Sequence, residues 1–326
     1  MRIWFVGILL QVLALQGMAE TLALRQFGVP FSATNVDVVW RASSNDLPST
    51  LWTYRVLRAR FPRAVISKLT ALGSFTAKDG KPVPHYPHVL SLGTSDGKRS
   101  LLVNPDCGYF EYHDYDADNM HIVEGVPDED QSFALATNLL PKLGVDLSTL
   151  AVKPHSAELR TLRTDERAVL AKGLGMPAYA TNVPMRGVYF IRSLDGVDFA
   201  GTGARGGCTV EFGHDAKVSR LIVSWRTLKR DRRYQVAKPE LVMNWIRTGN
   251  AFWLPSRDTP NIDWASAKKL QVTKATPLYF GEPYIDTQEK VYPFVALEAT
   301  VDSDGTNSVV RIDCPILEGS DGNPLP

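Results

Sequence analysis

Apolar residues recur at helical spacing in three segments of the chain. The predicted helices span 62–72, 128–143 and 239–247. In the first segment, Val65 and Leu69 lie on one face, which is typical of a helix that packs against a core. Proline opens the first and third segments, and a glycine lies just after each of the three. This is the usual asymmetry of helix ends, so the sequence marks all three helices at both boundaries.

Most of the remaining chain alternates apolar and polar residues with a period of two, which is typical of strands. In the segment 218–226, Leu221 and Val223 share one face of the predicted strand. Arg220 and Ser224 take the other face. Short Asp-Gly turns join successive strands, and strands joined by such turns must be antiparallel. The sequence therefore predicts an α+β fold built from antiparallel β-meanders, each with a packed helix.

A break in the chain is predicted near Gly125. The acidic, proline-containing stretch 126–130 follows this glycine and separates two β-rich regions. Stretches of this composition are typical of the linkers between domains. The predicted domains are an N-terminal α+β domain, 20–125, and a C-terminal α+β domain, 126–326.

Two short segments of the chain share a pattern. CGYFEYHD at 107–114 and CTVEFGHD at 208–215 carry Cys, His and Asp at the same offsets. Two of the predicted helices also end in Leu-Gly and precede a β-meander. Tandem copies of a helix-plus-meander unit explain this pattern, and coincidence between short segments explains it equally well.

The first segment of the chain, 1–19, has the pattern of a secretory signal peptide. Arg2 precedes the apolar run 3–15, and Gly17 and Ala19 supply the small residues of a cleavage site. The apolar run is shorter than the roughly 20 residues that a membrane-spanning helix needs. We therefore expect a secreted or periplasmic protein with no stable membrane span.

The composition is that of an ordinary globular protein, with 326 residues, 44% hydrophobic and 22% charged. The net charge is +1, and Arg2 is the only charge in the predicted leader. A chain with so small a net charge does not bind nucleic acid through its overall charge. Export permits disulfides, and three cysteines allow at most one intramolecular pair. The pairing stays open among Cys107, Cys208 and Cys314.

Two glycine motifs look catalytic but lack the context that the chemistry requires. Gly93–Gly97 matches G-x-S-x-G, and Gly201–Gly206 matches G-x-G-x-x-G. Both motifs need a helix directly after the glycines. Strand-like sequence follows each of them, so we predict a hairpin turn at the first motif and a loop at the second. We expect no catalytic residue and no cofactor.

Two sets of side chains resemble metal ligands. Within each Cys-x5-His segment, an extended strand of six residues covers about 20 Å, which is too far for one metal ion. We therefore expect no zinc at Cys107, His113, Cys208 and His214. A further run of carboxylates permits either an irregular calcium site or a solvated acidic loop. It comprises Asp114, Asp116 and Asp118.

The candidate binding surface combines the glycine-rich loop with a basic cluster, which is predicted as a solvated turn before the third helix. Its residues are Gly201, Gly203, Arg205, Arg226, Lys229, Arg230, Arg232 and Arg233. The exposed backbone of the loop and the cations suit an exported partner protein with an acidic surface, or an anionic wall polymer. Nucleic acid is not expected as a partner of an exported protein.

The segment 187–225 resembles PepSY-like domains. The order of its strands and turns, the step Asp195-Gly196-Val197 and the glycine at Gly201 carry the resemblance. The predicted helix that ends at Gly144 takes the place of the family's helix, although a long insert, 151–185, departs from the family pattern. The resemblance implies an exported propeptide-like, inhibitory or regulatory module without catalytic residues of its own.

These observations favour a secreted, non-enzymatic binding or regulatory protein with PepSY-like units. Two alternatives stay open. The first is a secreted hydrolase whose site is assembled from residues distant in sequence. The second is a carbohydrate-binding module, which a cluster of aromatic residues suggests. This cluster comprises Tyr109, Phe110, Tyr112 and Tyr115.

Overall fold

The structure is a computed structural model that describes most of the chain after residue 28. The described residues are 29–57, 61–81, 83, 88–117, 124–151, 157–161, 185–201, 207–255, 262–281, 288–303, 305–319 and 322–325. Strands account for 50% of the structure and helices for 21%. The predicted α+β fold, with a helix packed on each meander, is therefore wrong, because the described chain is mostly β.

The described residues form three α-helices and three sheets. The helices are α1 Arg63–Leu72, α2 Glu129–Leu139 and α3 Pro239–Arg247. The strands are β1 Val29–Phe31, β2 Asp37–Trp40, β3 Thr50–Leu57, β4 Gly80–Lys81, β5 Leu90–Gly93, β6 Arg99–Asn104, β7 Tyr109–Asp114, β8 Ala157–Thr161, β9 Arg186–Ile191, β10 Ser193–Leu194, β11 Val197–Gly201, β12 Gly207–Phe212, β13 Val218–Ser224, β14 Thr227–Gln235, β15 Ala251–Leu254, β16 Ala267–Gly281, β17 Lys290–Val291, β18 Pro293–Ser303 and β19 Thr306–Pro315. None of the described helices is long and apolar enough to cross a membrane.

All three predicted helices are present, and α2 shows why one of them is shorter than predicted. Its first turn is closed by Asp128, whose side chain accepts a hydrogen bond from the backbone N–H of Gln131. After Leu139 the chain tightens into a 3-10 turn, Leu140–Leu143. Pro141 has no N–H to continue the α-helical pattern, so the last turn changes type.

The chain folds into two compact units. The first unit contains the described parts of Met1–Arg55, Arg230–Phe280 and Lys290–Pro326, and the second contains those of Val56–Lys229 and Gly281–Glu289. Residues on both sides of Gly125 belong to the second unit. The compact units therefore follow different boundaries from the predicted domains.

The second unit is built on one antiparallel sheet with the strand order β4-β5-β6-β7-β13-β12-β9-β8. Helices α1 and α2 contribute Leu69 and Ala136 to a core that also contains Leu101, Phe110 and Leu221 of the sheet. Alternate residues of the strands face this core, and the opposite face carries polar side chains such as Glu111 beside a small apolar cluster with Tyr109 and Ile222. Burying each large apolar side chain contributes about 1.5–3 kcal/mol.

The similar segments 107–114 and 208–215 occupy different places in this sheet. Cys107 ends a 3-10 turn before β7, whereas Cys208 lies within β12. Strand β7 pairs with β6 and β13, while β12 pairs with β9 and β13. The two segments therefore do not occupy equivalent positions in the sheet.

The longest strands that the structure describes lie in the first unit. Its larger sheet has the order β1-β15-β19-β18-β16, and β2 runs parallel to β16. Strand β18 is paired on both sides and buried along most of its length, with Leu297 fully buried. The last three long strands, β16, β18 and β19, therefore form an antiparallel meander, which is held together by the pairing of β18 with both of its neighbours. Most residues of a smaller sheet, with the order β14-β3-β17, also belong to this unit.

Candidate functional site

The predicted basic turn is a strand. The segment that contains Arg232 forms β14 and pairs with β3. The backbone N–H of Val236 donates to the carbonyl of Ser49, and Arg232 contacts Thr53 Oγ1 through both its N–H and its carbonyl. Neighbouring β3 supplies the hydrogen-bonding partner that the local sequence did not reveal. The run of like charges was therefore wrongly predicted as a turn.

Arg226 does not belong to an exposed surface, contrary to the prediction. It is 6% exposed, and its guanidinium donates to Gln288 Oε1. Its carbonyl accepts a hydrogen bond of 2.6 Å from Nη1 of Arg192, which is also buried. The Arg192 guanidinium lies over the rings of Trp225 and Phe199. These contacts give Arg226 a structural role within the second unit, where Lys229 is exposed.

The other three predicted arginines are exposed residues of β14 within the first unit, and we call them the basic strand: Arg230, Arg232 and Arg233. The guanidinium of Arg230 lies over the ring of Trp52, at 5.5 Å from the ring centroid. Arg233 Nε donates to Thr50 Oγ1 at 2.8 Å. These contacts orient the side chains of Arg230 and Arg233 along the strand.

The single carboxylate of β14, that of Asp231, forms ion pairs with cations outside this strand. Asp231 lies 2.9 Å from Arg55 Nε and 3.8 Å from Lys290 Nζ, and its side chain is only 12% exposed. Strands β3 and β17 carry no acidic residue. The first unit's part of this sheet therefore has an excess of positive charge, which favours the binding of an anionic group.

The structure describes the glycine loop only at its ends. Gly201 ends β11, and Gly203 and Arg205 lie outside the described residues. The preceding hairpin is formed as predicted, since β10 and β11 pair around Asp195 and Gly196, both of which have positive φ. The part that this loop plays in binding stays a prediction.

A second polar cluster lies on the face of the second unit's sheet opposite the helices, and sequence reasoning missed it. The carboxylate of Glu111 lies 2.7 Å from His113 Nε2 and accepts a hydrogen bond of 2.7 Å from the Tyr109 hydroxyl. Arg220 Nη2 lies 3.4 Å from the same carboxylate. The sequence does contain a signal for this cluster, because Tyr, Glu and His occupy alternate positions of β7 and therefore lie on one face of the strand.

The cluster fixes the charge state of Glu111. The hydrogen bond with His113 lowers the pKa of this carboxyl to about 2, with further contributions from the Tyr109 hydroxyl and the charge of Arg220. Desolvation acts in the opposite direction and is outweighed. The neighbouring strand extends the cluster, because Arg220 is the register partner of both His113 and Glu211.

The aromatic cluster that motivated a carbohydrate-binding module is divided between the two faces of β7. Phe110 and Tyr112 are buried in the core beneath the helices. Tyr109 is buried on the opposite face. Tyr115 is 55% exposed and stacks on His113. The predicted platform is therefore reduced to one exposed ring.

Two carboxylates of the acidic run, those of Asp114 and Asp116, have hydrogen-bond or ion-pair partners within the protein. Asp114 Oδ1 accepts hydrogen bonds from the backbone N–H groups of Asp116 and Ala117. Asp116 lies 2.9 Å from Lys98 Nζ, and Asp118 lies outside the described residues. Among the residues that the structure describes, no group of three or more His, Cys, Asp or Glu side chains is arranged to hold a metal ion.

The cysteines lie apart from one another in the core. None of the three cysteines forms a disulfide, and all three are buried: Cys107, Cys208 and Cys314. Burial raises the pKa of Cys208 and of Cys314. The first glycine motif, Gly93–Gly97, is the turn between β5 and β6, as predicted.

The comparisons with known proteins assign no family. No protein-family model matches the chain, and no curated protein matches it. The chain is similar to the crystal structure of an uncharacterized protein from Eubacterium rectale ATCC 33656, with 9% sequence identity and a TM-score of 0.42. That similarity covers 86% of this chain and 87% of the other. A likeness at this level carries no argument about function.

Proposed function

We propose that the chain is an exported, non-enzymatic regulatory protein that binds a partner protein through an acidic surface of that partner. Its binding surface is the basic strand. The observation that carries the proposal is the placement of Arg230, Arg232 and Arg233, which are exposed on one strand whose only carboxylate, Asp231, is paired with other cations.

Export and regulation rest on the sequence. The segment 1–19 has the pattern of a signal peptide, and 187–225 resembles PepSY-like modules. A partner outside the cytoplasm is consistent with both. Recognition by exposed charges contributes more to specificity, to the rate of association and to its salt dependence than to the affinity itself.

The test is capture by the immobilised chain 20–326 from the secreted and envelope fractions of the host, with quantitative mass spectrometry. The test variant is Arg230→Glu with Arg232→Glu. The matched control is Arg41→Glu with Lys268→Glu, which reverses two exposed charges of the first unit outside the basic strand. We expect one acidic protein to be retained by the wild type and the control and lost from the test variant. Equal retention by all three contradicts the proposal.

The cluster around Glu111 favours a hydrolase as the second candidate. Glu111 orients the imidazole of His113, and Ser100 is the register partner of His113 on β6. Residues directly opposite each other in a sheet share a face, so a hydroxyl, an imidazole and a carboxylate lie on one surface. Turnover of an ester or peptide substrate that is lost in both Ser100→Ala and His113→Ala supports this candidate. Turnover that both variants retain excludes this site as its source.

A further inference from the structure

Three tryptophans of the first unit each bury an indole N–H that has no acceptor. Among the described residues, the buried indole nitrogens without a hydrogen-bond partner are those of Trp40, Trp253 and Trp264. Trp253 is only 7% exposed. A buried indole N–H usually finds an acceptor, because leaving a buried donor unpaired costs free energy. An unpaired donor at such depth is therefore an exception that requires an explanation.

Two of these tryptophans belong to one aromatic cluster, which consists of Phe31, Trp253 and Trp264. The rings of Phe31 and Trp264 stack, with centroids 4.3 Å apart and planes inclined by 25°. The rings of Trp253 and Trp264 meet edge to face, with centroids 5.9 Å apart and planes inclined by 74°. In an edge-to-face pair only one ring directs its edge at the other, so the pair can satisfy at most one indole N–H through a ring face. At least one N–H therefore finds no acceptor within the cluster.

The backbone holds the aromatic cluster at a border with solvent. Strand pairing places Trp253 of β15 opposite Val29 of β1, and Val29 is 49% exposed. Trp264 is half-buried and lies in a turn, where the Asp263 carboxylate accepts a hydrogen bond of 3.0 Å from the backbone N–H of Ala265. A small molecule could therefore reach the rings beside Val29 and Trp264 without unfolding of the sheet.

We propose that the aromatic cluster binds a small uncharged molecule that carries a carbonyl oxygen on a flat apolar body. The oxygen accepts a hydrogen bond from an indole N–H, and the apolar body packs against the rings. Ligand sites are commonly lined by aromatic side chains with a few polar groups that fix the orientation of the ligand. The three side chains of the cluster carry no charge, so none of them compensates for the desolvation of an ionised ligand. This inference goes beyond the proposed function, because it concerns other residues than the basic strand.

The experiment follows the indole N–H signals of the chain 20–326 by NMR, with isotope-labelled tryptophan. The signals that disappear in Trp253→Phe and in Trp264→Phe assign the two donors. The probes are acetophenone and ethylbenzene, which has the same ring and a similar size but no oxygen. We expect acetophenone to move at least one of the two signals downfield in a saturable way. It should also bind at least about threefold more tightly than ethylbenzene, because only acetophenone accepts a hydrogen bond.

The same spectra can overturn the inference. If acetophenone moves neither signal, or if acetophenone and ethylbenzene bind equally well, the cluster is not a site for carbonyl compounds. The free protein then identifies the acceptor. An upfield indole N–H signal shows that a ring face accepts the hydrogen bond, whereas a cross-peak to a long-lived water shows that water does.

Conservative variants test the donors from the side of the protein. Trp253→Phe and Trp264→Phe each keep an aromatic ring and remove one N–H. We expect at least one of them to bind acetophenone at least about threefold more weakly than the wild type and to bind ethylbenzene with unchanged affinity. Trp264 is half-buried, so its variant tests the site even if Trp253→Phe does not fold.

The matched control is Trp225→Phe, which changes an indole of the second unit. It should leave both affinities unchanged. Thermal unfolding establishes which variants are folded. Wild-type affinity for acetophenone in every folded variant of the cluster contradicts a hydrogen bond from these indole groups.

Discussion

Glu111 and His113 are two residues apart on β7, and their side chains meet at 2.7 Å on the face of the sheet that the helices leave open. The pair is half-buried, and the Tyr109 hydroxyl and Arg220 contact the same carboxylate. A carboxylate held in this way contributes to stability in its ionised form.

The stability of the protein should depend on pH through Glu111. Its folded-state pKa of about 2 lies below the ordinary value of 4.5, so the unfolded chain binds this proton more tightly. The contribution is complete above the ordinary pKa and is lost as the pH falls from about 4.5 toward 2. We expect Glu111→Gln to lower the free energy of unfolding at pH 7 by about 1–3 kcal/mol.

Urea unfolding at pH 7 and at pH 3 measures this effect. The difference between wild type and Glu111→Gln should be smaller at the lower pH. The control is Glu298→Gln, because Glu298 pairs with Lys274 at 2.7 Å in an exposed position. An exposed pair of this kind is worth at most about 1 kcal/mol. A cost for Glu111→Gln that is the same at both pH values contradicts the assigned role.

Gly213 should not tolerate a side chain. A Cβ atom at this position would overlap the carbonyl oxygen of Ala117. We expect Gly213→Ala to destabilise the protein by about 1–3 kcal/mol through overpacking against backbone. Gly80→Ala is the control, since its Cβ would meet nothing closer than 3.5 Å. Thermal unfolding of the two variants checks the prediction, and equal melting temperatures would disprove it.

The core beneath the helices should be sensitive to truncation. Leu101 is 1% exposed and packs in the same core as Leu69 of α1. We expect Leu101→Ala to cost about 2–5 kcal/mol, which is the usual range for a buried leucine. Val309 is 67% exposed, so Val309→Ala should change stability by no more than about 0.5 kcal/mol. Chemical unfolding measures both values, and similar costs for the two variants would be inconsistent with this core.

All three thiols should be protected in the folded protein. Cys107, Cys208 and Cys314 are buried and form no disulfide with one another. Iodoacetamide should modify none of them before unfolding and all of them afterwards, without a reductant. Intact-mass measurement counts the modified thiols. Only one modified thiol after unfolding without reductant would show that the other two form a disulfide.

The sequence identified local structure better than long-range pairing. The helix α3 was predicted at its observed bounds, because proline, an apolar face and a glycine mark it locally. The pairing of β14 with β3 was missed, since Thr53 and Arg232 are far apart in sequence and their contact leaves no local signal. The antiparallel pairing of the last long strands, β16 with β18 and β18 with β19, was predicted as a meander, because alternating apolar residues and a turn at Gly305 mark it locally.

The candidate site was predictable in part. Arg230, Arg232 and Arg233 were recognised as a basic cluster from their spacing alone. Burial of Arg226 was not predictable, because it depends on Arg192 and Gln288, which lie elsewhere in the chain. The Glu111 cluster required both the alternation along β7 and the register that brings Arg220 beside His113.

The most direct test of the account is the amount of acidic partner retained by the Arg230→Glu, Arg232→Glu variant relative to the wild type. The account predicts a loss of at least about tenfold at about 0.15 M salt, because two attractive charges become repulsive. The Arg41→Glu, Lys268→Glu control should retain the partner. Retention by the charge-reversed variant equal to that of the wild type would contradict binding through the basic strand.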